Sequence, residues 1–378
     1  MTVYLDSAAT TLEKPQSVPR AVAWAMTHLA SPGRGGHAPG MRAGELMLRM
    51  RERAAAMFGV GDPERVVLTY NATHGLNIAI RSLVPPGGTA VISGYEHNAV
   101  TRPLWAIPEV KVRVAAGPLF DGDGVYAAFA REITPDVDAV ICNHVSNVFG
   151  FIQPVDRIAR LCRDRGVPLI VDASQSAGTL PVDLEGWGAA FVAMPGHKGL
   201  YGPQGTGLLL CGGEAQPLLY GGTGSLSVRQ DMPEFLPDRL EAGTHNVCGA
   251  AGLLAGMEFV ARTGAARIHA RERALNGRLM DRLERIPGVT VFRGGENQSG
   301  LCSIVVGGLD CEEAGEALAR RDIAVRSGLH CAPLAHRTAG TQDTGTIRLS
   351  FSAFSRPEHA DRAAEAVRAL AGQAAGRG

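Results

Sequence analysis

Lys198 is the residue in this sequence whose type and place most invite chemistry. The chain holds 37 lysines and arginines together, yet only Lys14, Lys111 and Lys198 are lysines. A sequence that turns to arginine wherever a positive charge suffices keeps an amine in Met194-Pro195-Gly196-His197-Lys198-Gly199, after an apolar run, where no solvated face needs a charge. Lys111, by contrast, lies in the alternating Val110-Lys111-Val112-Arg113-Val114, the exposed face of a strand, and Lys14 precedes a proline. An amine can be deprotonated by its surroundings and form a Schiff base; a guanidinium stays protonated and cannot. The plainer alternative is a phosphate-binding or surface lysine on a glycine loop.

Asp172 follows Pro168-Leu169-Ile170-Val171, one strand and one helix before Lys198. A carboxylate at the mouth of a sheet can pair with a protonated ring nitrogen and turn an aromatic cofactor into an electron sink. The same residue could equally cap a helix. An amine and a carboxylate topping successive strands suit pyridoxal phosphate. That group needs a phosphate cup. Asn71-Ala72-Thr73-His74-Gly75 offers backbone N–H groups, the Thr73 hydroxyl and the positive end of a helix dipole. Gly221-Gly222-Thr223-Gly224-Ser225 is a second candidate cradle, though either loop could be only a turn. Neither is a Walker loop and no G-x-G-x-x-G follows a strand, which weighs against ATP and NAD. His97 is placed either to stack on a cofactor ring or to serve as a structural histidine.

A last cluster spans Arg326-Ser327-Gly328-Leu329-His330-Cys331-Ala332-Pro333-Leu334-Ala335-His336. A cysteine on such a loop, beside Arg326 and His330, has the setting that lowers a thiol pKa. Metal ligation by His330, Cys331 and His336 is the rival, but the spacing matches no zinc pattern. Arg348, in Gly345-Thr346-Ile347-Arg348-Leu349-Ser350, is an inward-facing candidate to clamp a substrate carboxylate through two hydrogen bonds.

Holding these groups together requires a scaffold. Apolar strands are predicted at Val66–Tyr70, Ala90–Ser93, Val137–Val145, Pro168–Ala173, Ala189–Met194 and Thr206–Cys211. Helices are predicted at Pro15–Leu29, Ala43–Phe58, Gly75–Leu83, Val125–Arg131 and Val155–Arg165, with a glycine loop at Ser31–His37. Short continuous apolar strands alternating with helices indicate an α/β fold around a buried, mainly parallel sheet. The polar clusters fall at the carboxyl ends of those strands, where such sheets place active sites. After about Val247 the pattern changes to a smaller α+β unit. Its helices are predicted within Ala250–Leu283 (broken near Gly264), Glu312–Arg321 and Pro357–Leu370. Its strands are predicted at Val289–Phe292, Leu301–Val306, Ile323–Arg326 and Thr346–Phe351, with a Gly/Ala tail from Ala371.

At 378 residues the chain fits about two domains, and 45% apolar with 20% charged residues is globular. A formal net charge of zero gives no sign of nucleic acid or an anionic membrane as partner. No apolar run approaches the ~20 residues that span a bilayer, and the start resembles no signal peptide. Seven cysteines without a C-x-x-C pair suit reduced thiols in a cytoplasm.

Taken together, these residues resemble the class V aminotransferase superfamily, in its cysteine desulfurase/selenocysteine lyase branch. The similarity runs from Leu5-Asp6-Ser7-Ala8-Ala9-Thr10-Thr11 to Arg348-Leu349-Ser350-Phe351. The resemblance implies a pyridoxal-phosphate fold of type I, built on a seven-stranded type of sheet with helices on both faces. It implies a large unit at 14–247 and a small one from 1–13 and 248–378 that carries Cys331 and Arg348. Lys198 would hold the cofactor and move the Cα proton, His97 would stack on its ring and shuttle a proton, and Asp172 and Gln175 would contact the ring. Asn147 would lie over the cofactor near the substrate carboxylate, and Arg348 would bind that carboxylate; Arg326 is the next candidate for substrate binding. Cys331 would take up sulfur as a persulfide. Thr223 would reach the phosphate of a neighbouring subunit, which implies a homodimer. Two positions depart from the family: Pro195 and Ala72 stand where hydroxyls are usual, so the phosphate cup would lean on Thr73, His197, Thr223 and backbone groups. The implied reaction turns L-cysteine into L-alanine, with a protein as possible sulfur acceptor. A selenocysteine lyase, or a class V epimerase or aminotransferase acting on another amino acid, is the alternative.

Overall fold

The apolar segments assemble into a seven-stranded sheet in a computed structural model that describes residues 2–32 and 36–376. Across the sheet the order is Val66–Thr69, Gly207–Cys211, Phe191–Pro195, Leu169–Asp172, Ala139–Asn143, Thr89–Ser93 and Lys111–Ala115. The last five are parallel, and Gly207–Cys211 runs antiparallel to both of its neighbours. Every residue of Ala139–Asn143 and Phe191–Pro195 is buried, as strands covered by helices on both faces must be. Along Thr89–Ser93, Val91 joins one apolar core with Met50, Phe129 and Leu253, while Ala90 and Ile92 join another with Leu76 and Val100. Lys111 is exposed on the edge strand, where a charge discourages pairing with other chains.

Strand Thr89–Ser93 has Lys111–Ala115 on one side and Ala139–Asn143 on the other, so the chain reverses its progress across the sheet there. Ligand crevices open beyond the carboxyl ends of strands at such a point. A second sheet is four-stranded and antiparallel, in the order Arg326–Gly328, Thr346–Ser350, Leu301–Val306 and Val289–Phe292. Helices Ala265–Leu283, Cys311–Ala319 and Pro357–Ala375 cover it through a core that includes Leu279, Ile304, Leu318, Leu349 and Val367. The N-terminal strand Val3–Tyr4 pairs in parallel with Ile323–Ala324, and Asp6 bridges to Ser350.

The boundary predicted at 247 falls at the start of helix Val247–Thr263, which lays Ala250, Leu253, Leu254 and Met257 into the core of the larger sheet. The break predicted near Gly264 lies between the helices Val247–Thr263 and Ala265–Leu283, with Gly264 at φ +89°. Other differences are at element ends. The helix predicted from Ala43 begins at Ala38, because His37 caps it by accepting from Gly40 N–H at 3.2 Å and Pro39 suits its first turn. The strand predicted at Ile323–Arg326 is two short strands with different partners, and the predicted tail continues the last helix to Ala375. Helices Asn98–Trp105 and Pro333–Ala339 were not predicted. Residues 33–35 of the predicted glycine loop and 377–378 of the tail lie outside the described residues. Among the described residues no helix is long and apolar enough to cross a membrane.

Candidate active site

Beyond the carboxyl ends of the parallel strands lies a cavity of about 290 Å³, close to the lower end of small-ligand sites, roughly 300–1,000 Å³. Lys198, Asp172, His97, Asn147, Gln175 and His197 line it, and so do Ala72, Thr73, Pro195, Arg326, Cys331 and Arg348. Of the predicted site residues only Thr223 lies elsewhere. Its hydroxyl is 3.0 Å from Ser225 Oγ in the second glycine loop.

Lys198 follows the strand Phe191–Pro195, in a turn pinned from the N-terminus. Thr11 N–H donates to the His197 carbonyl at 3.1 Å, and the Thr10 and Thr11 hydroxyls and the Lys14 ammonium lie at 3.3, 3.1 and 3.4 Å from the same oxygen. Directly after the lysine, Gly199 crosses the backbone at Gly178 so closely that a Cβ on Gly178 would lie 2.2 Å from Gly199 O. With Gly178 also at φ +90°, the crossing admits only glycine. The Lys198 side chain keeps some accessible surface where it borders the cavity and is otherwise enclosed. Burial pulls its pKa down to about 8, opposed by the Asp172 carboxylate and assisted by Arg348 and Arg326.

Asp172 ends its strand 4% exposed and accepts from Ser174 N–H at 2.9 Å. It caps no helix: the next one, Leu184–Trp187, is capped by Asp183. His97 does cap one. Its Nδ1 accepts from Ala99 N–H at 2.9 Å, so the neutral ring carries its proton on Nε2. Burial pulls the His97 pKa down to about 4, with Asp172 opposing and Lys198 assisting, so the ring is neutral near pH 7. The turn Asn71-Ala72-Thr73 begins helix Ala72–Leu83, where Asn71 caps by accepting from His74 N–H at 2.9 Å. Ala72 and Thr73 N–H have no intrahelical acceptor at that position and sit at the positive end of the dipole.

Arg348 is held by two partners against a third, like charge. Arg326 lies directly opposite on the adjacent strand, a like-charge pair that disfavours the pairing. Asp6 offsets it, accepting from Arg348 Nη2 at 2.7 Å, while the Asn147 carbonyl accepts from Nη1 at 2.9 Å. Arg348 Nε, Asn147 Oδ1 and His197 Nδ1 are buried at this cavity without a protein partner among the described residues. Such orphans are costly unless a ligand satisfies them.

Cys331 is exposed at the rim, with Arg326 Nη2 at 3.8 Å from its sulfur. His330 and Cys331 both have positive φ, +51° and +57°, a strain of order 1–3 kcal/mol each for non-glycine residues. Three hydrogen bonds hold the loop there: Asn98 N–H to Cys331 O at 2.7 Å, Asn147 Nδ2 to His330 O at 2.8 Å and Ala332 N–H to Leu329 O at 2.8 Å. The histidines of the rival metal reading point into the fold. His330 Nε2 is 3.0 Å from Thr346 Oγ1, and His336 Nδ1 is 2.8 Å from Thr341 Oγ1.

Sequence reasoning missed Asp6, the counter-charge of Arg348. A buried arginine signals that such a partner exists, but not which one. It also missed the support beneath His97. Glu96 is fully buried, accepts from Ser93 Oγ and Asn143 N–H at 2.7 Å each, and has its carboxyl pushed up to about 8 by burial. The signal was the run Tyr95-Glu96-His97-Asn98 after an apolar strand, which marks a strand end without disclosing its partners.

The family model for aminotransferase class-V matches residues 3–362. A probable cysteine desulfurase of Methanothermobacter thermautotrophicus is 32% identical over 381 residues, covering 98% of this chain and 95% of its own. Among solved structures, the apo cysteine desulfurase of Thermococcus onnurineus NA1 matches with a TM-score of 0.90 at 30% identity, over 98% of this chain and 95% of that one. The Escherichia coli cysteine desulfurase CsdA, in an S-sulfonic acid form, matches with a TM-score of 0.85 at 29% identity, over the same shares of the two chains.

Proposed function

The chain belongs to the class-V aminotransferase family, and from that premise we propose that it is a pyridoxal-phosphate-dependent cysteine desulfurase, forming L-alanine from L-cysteine and a persulfide on Cys331. The observation that carries the reading is a thiol, Cys331, lining the same cavity as Lys198, Asp172 and Arg348. An enzyme that only moved amino groups would have no use for it.

The residues present fit the cofactor. An amine with a lowered pKa, a buried carboxylate and a neutral imidazole share the cavity, and His197, whose Nδ1 is an orphan, lines it together with Ala72 and Thr73. Asp172, Gln175 and His97 would hold the ring. Thr73, His197 and the backbone N–H groups of Ala72 and Thr73 would hold the phosphate in place of the hydroxyls missing at Ala72 and Pro195. Bound there, pyridoxal phosphate supplies the electron sink for the pair left when Cα loses its proton.

Arg348 binds the substrate carboxylate through N–H donors that Asp6 and Asn147 leave free, and Asn147 orients the amino acid. Lys198, unprotonated in a useful fraction near pH 7, takes the Cα proton. Asp172 holds a proton at the ring nitrogen. His97, with its proton on Nε2, can donate to the substrate and be reprotonated. Cys331 Sγ then attacks the substrate sulfur: an S–S bond forms, the C–S bond breaks with its electrons on carbon, and protonation of that carbon together with return of the proton from Lys198 to Cα yields alanine. Arg326 Nη2 lies 3.8 Å from Cys331 Sγ. Thr223, away from its own chain's cavity, serves the neighbouring subunit's phosphate in a homodimer. The smaller unit carries Cys331 and Arg348, and we place its border with the larger one at Gly264. A cytoplasmic setting, where thiols stay reduced, suits seven free cysteines.

The experiment is alanine yield from cysteine in the presence of dithiothreitol, with mass spectrometry of Cys331 in a parallel sample exposed to cysteine without reductant. Wild-type protein should form alanine and an adduct of one sulfur on Cys331. Cys331→Ala should bind cysteine, lose alanine formation from it, and keep some alanine formation from selenocysteine, whose weaker C–Se bond lets a dithiothreitol thiolate take up the selenium in place of the protein thiol while the bonding electrons stay on carbon. Full cysteine activity in that variant would turn the reading to a lyase, epimerase or aminotransferase with an incidental thiol.

A further inference from the structure

Two short helices converge on Cys331. Helix Asn98–Trp105 begins at the residue whose N–H donates to Cys331 O at 2.7 Å, and helix Pro333–Ala339 begins two residues after the cysteine. Between them runs a groove of about 320 Å³, lined by Thr101, Arg102, Trp105, Pro333, Leu334 and Arg337. Trp105 is 61% exposed, an unusual place for the largest apolar side chain in a chain with 3 tryptophans. The lining has two arginines and no acid, and exposed Arg326 extends the positive charge to the sulfur itself. Exposed tryptophan and arginine side by side have the composition of the energetic centre of a protein–protein contact.

We propose that this groove docks an acidic, thiol-bearing segment of an acceptor protein, seated by an apolar side chain against Trp105 and Leu334 and by carboxylates on Arg102 and Arg337. The proposal rests on the desulfurase reading, under which Cys331 must pass its sulfur on before a second turnover. The acceptor thiol ionises, and its thiolate attacks the outer sulfur of the Cys331 persulfide. A new S–S bond forms on the acceptor, and the old one breaks with its electron pair on Cys331 Sγ. The acceptor leaves as a persulfide, Cys331 returns as a thiolate, and nothing is oxidised or reduced overall. A groove between the two helices that flank Cys331 in the fold gives such a segment a track that a small thiol does not need.

The test uses the full-length, cofactor-loaded protein charged with sulfur from cysteine. Its probes are two synthetic peptides, each with one cysteine and one leucine, flanked by glutamates in one and by lysines in the other, with dithiothreitol as a small acceptor. At low ionic strength the wild type should transfer sulfur to the acidic peptide at least about tenfold faster than to the basic one, and salt should erode the difference. The double variant Arg102→Glu/Arg337→Glu should invert the order. Trp105→Ser should slow transfer to both peptides several-fold. Turnover with dithiothreitol should stay unchanged in both variants, which also certifies their folding. A peptide preference that survives the charge reversal overturns the proposal. So does conversion of a wild-type dimer to monomer by Trp105→Ser, since the groove would then be a contact between two copies. If wild-type protein forms no alanine even with dithiothreitol, the desulfurase reading itself has failed.

Discussion

Replacing Lys198 by methionine should stabilise the cofactor-free protein, by an amount that fades as pH rises. Burial lowers the ammonium pKa from 10.5 to about 8, against the attraction of Asp172. Between those two values the unfolded chain keeps a proton at Lys198 that the folded chain releases, so the stability this residue allows rises with pH across the window. Below about pH 8 the amine is protonated in both states and its cost is complete; above about 10.5 it is neutral in both and the cost is gone. The interval corresponds to about 3 kcal/mol, and solvent admitted by the cavity trims this to about 2 kcal/mol. Methionine has similar length, packs among apolar atoms and does not titrate. Urea unfolding of both proteins at matched pH gives the difference, in which buried tyrosines and thiols that also titrate cancel. The advantage of Lys198→Met should shrink by about 2 kcal/mol between pH ~7 and pH ~10.5. A difference independent of pH would refute the claim that burial deprotonates this amine. The claim matters for catalysis. Near pH 7 a pKa of about 8 leaves roughly a tenth of the lysines unprotonated, against about one in 3,000 at the ordinary value.

Two further substitutions probe the partners of that amine. Arg348→Lys keeps the charge but loses one arm of the fork, worth about 1.5–3 kcal/mol, so KM for cysteine should rise about 10- to 100-fold with little change in kcat. An unchanged KM in steady-state kinetics would move the carboxylate site elsewhere, with Arg326 the next candidate. Asp172→Asn keeps the shape but withdraws the charge that holds a proton on the ring nitrogen. The visible absorbance of bound cofactor should persist while kcat falls at least about 100-fold. Near-normal turnover would mean that Asp172 only braces its turn through Ser174.

The sheet was legible because its strands are buried on both faces. A segment such as Ala139–Asn143 must then be apolar throughout, and that signal needs no knowledge of neighbours. Asp172 and Lys198 were legible for the same reason, as polar residues placed just past such runs. Cys331 stood out through its glycine- and proline-bounded loop. Partnerships are a different matter. Asp6 and Arg348 are 342 positions apart, and Asn147 and His330 are 183 apart, so no local pattern links them. Helix Val247–Thr263 could be seen as a helix but not assigned to a core, because apolar periodicity names a buried face without naming what covers it. Helices Asn98–Trp105 and Pro333–Ala339 are too short for periodicity to register. Their juxtaposition, which puts a tryptophan and two arginines in one groove, exists only because the tertiary fold brings Asn98 to Cys331. Residue types and strand ends set the chemistry available to this protein. Long-range packing decided which group holds which, because hydrogen bonds and counter-charges depend on distance in space, which separation along the chain does not encode.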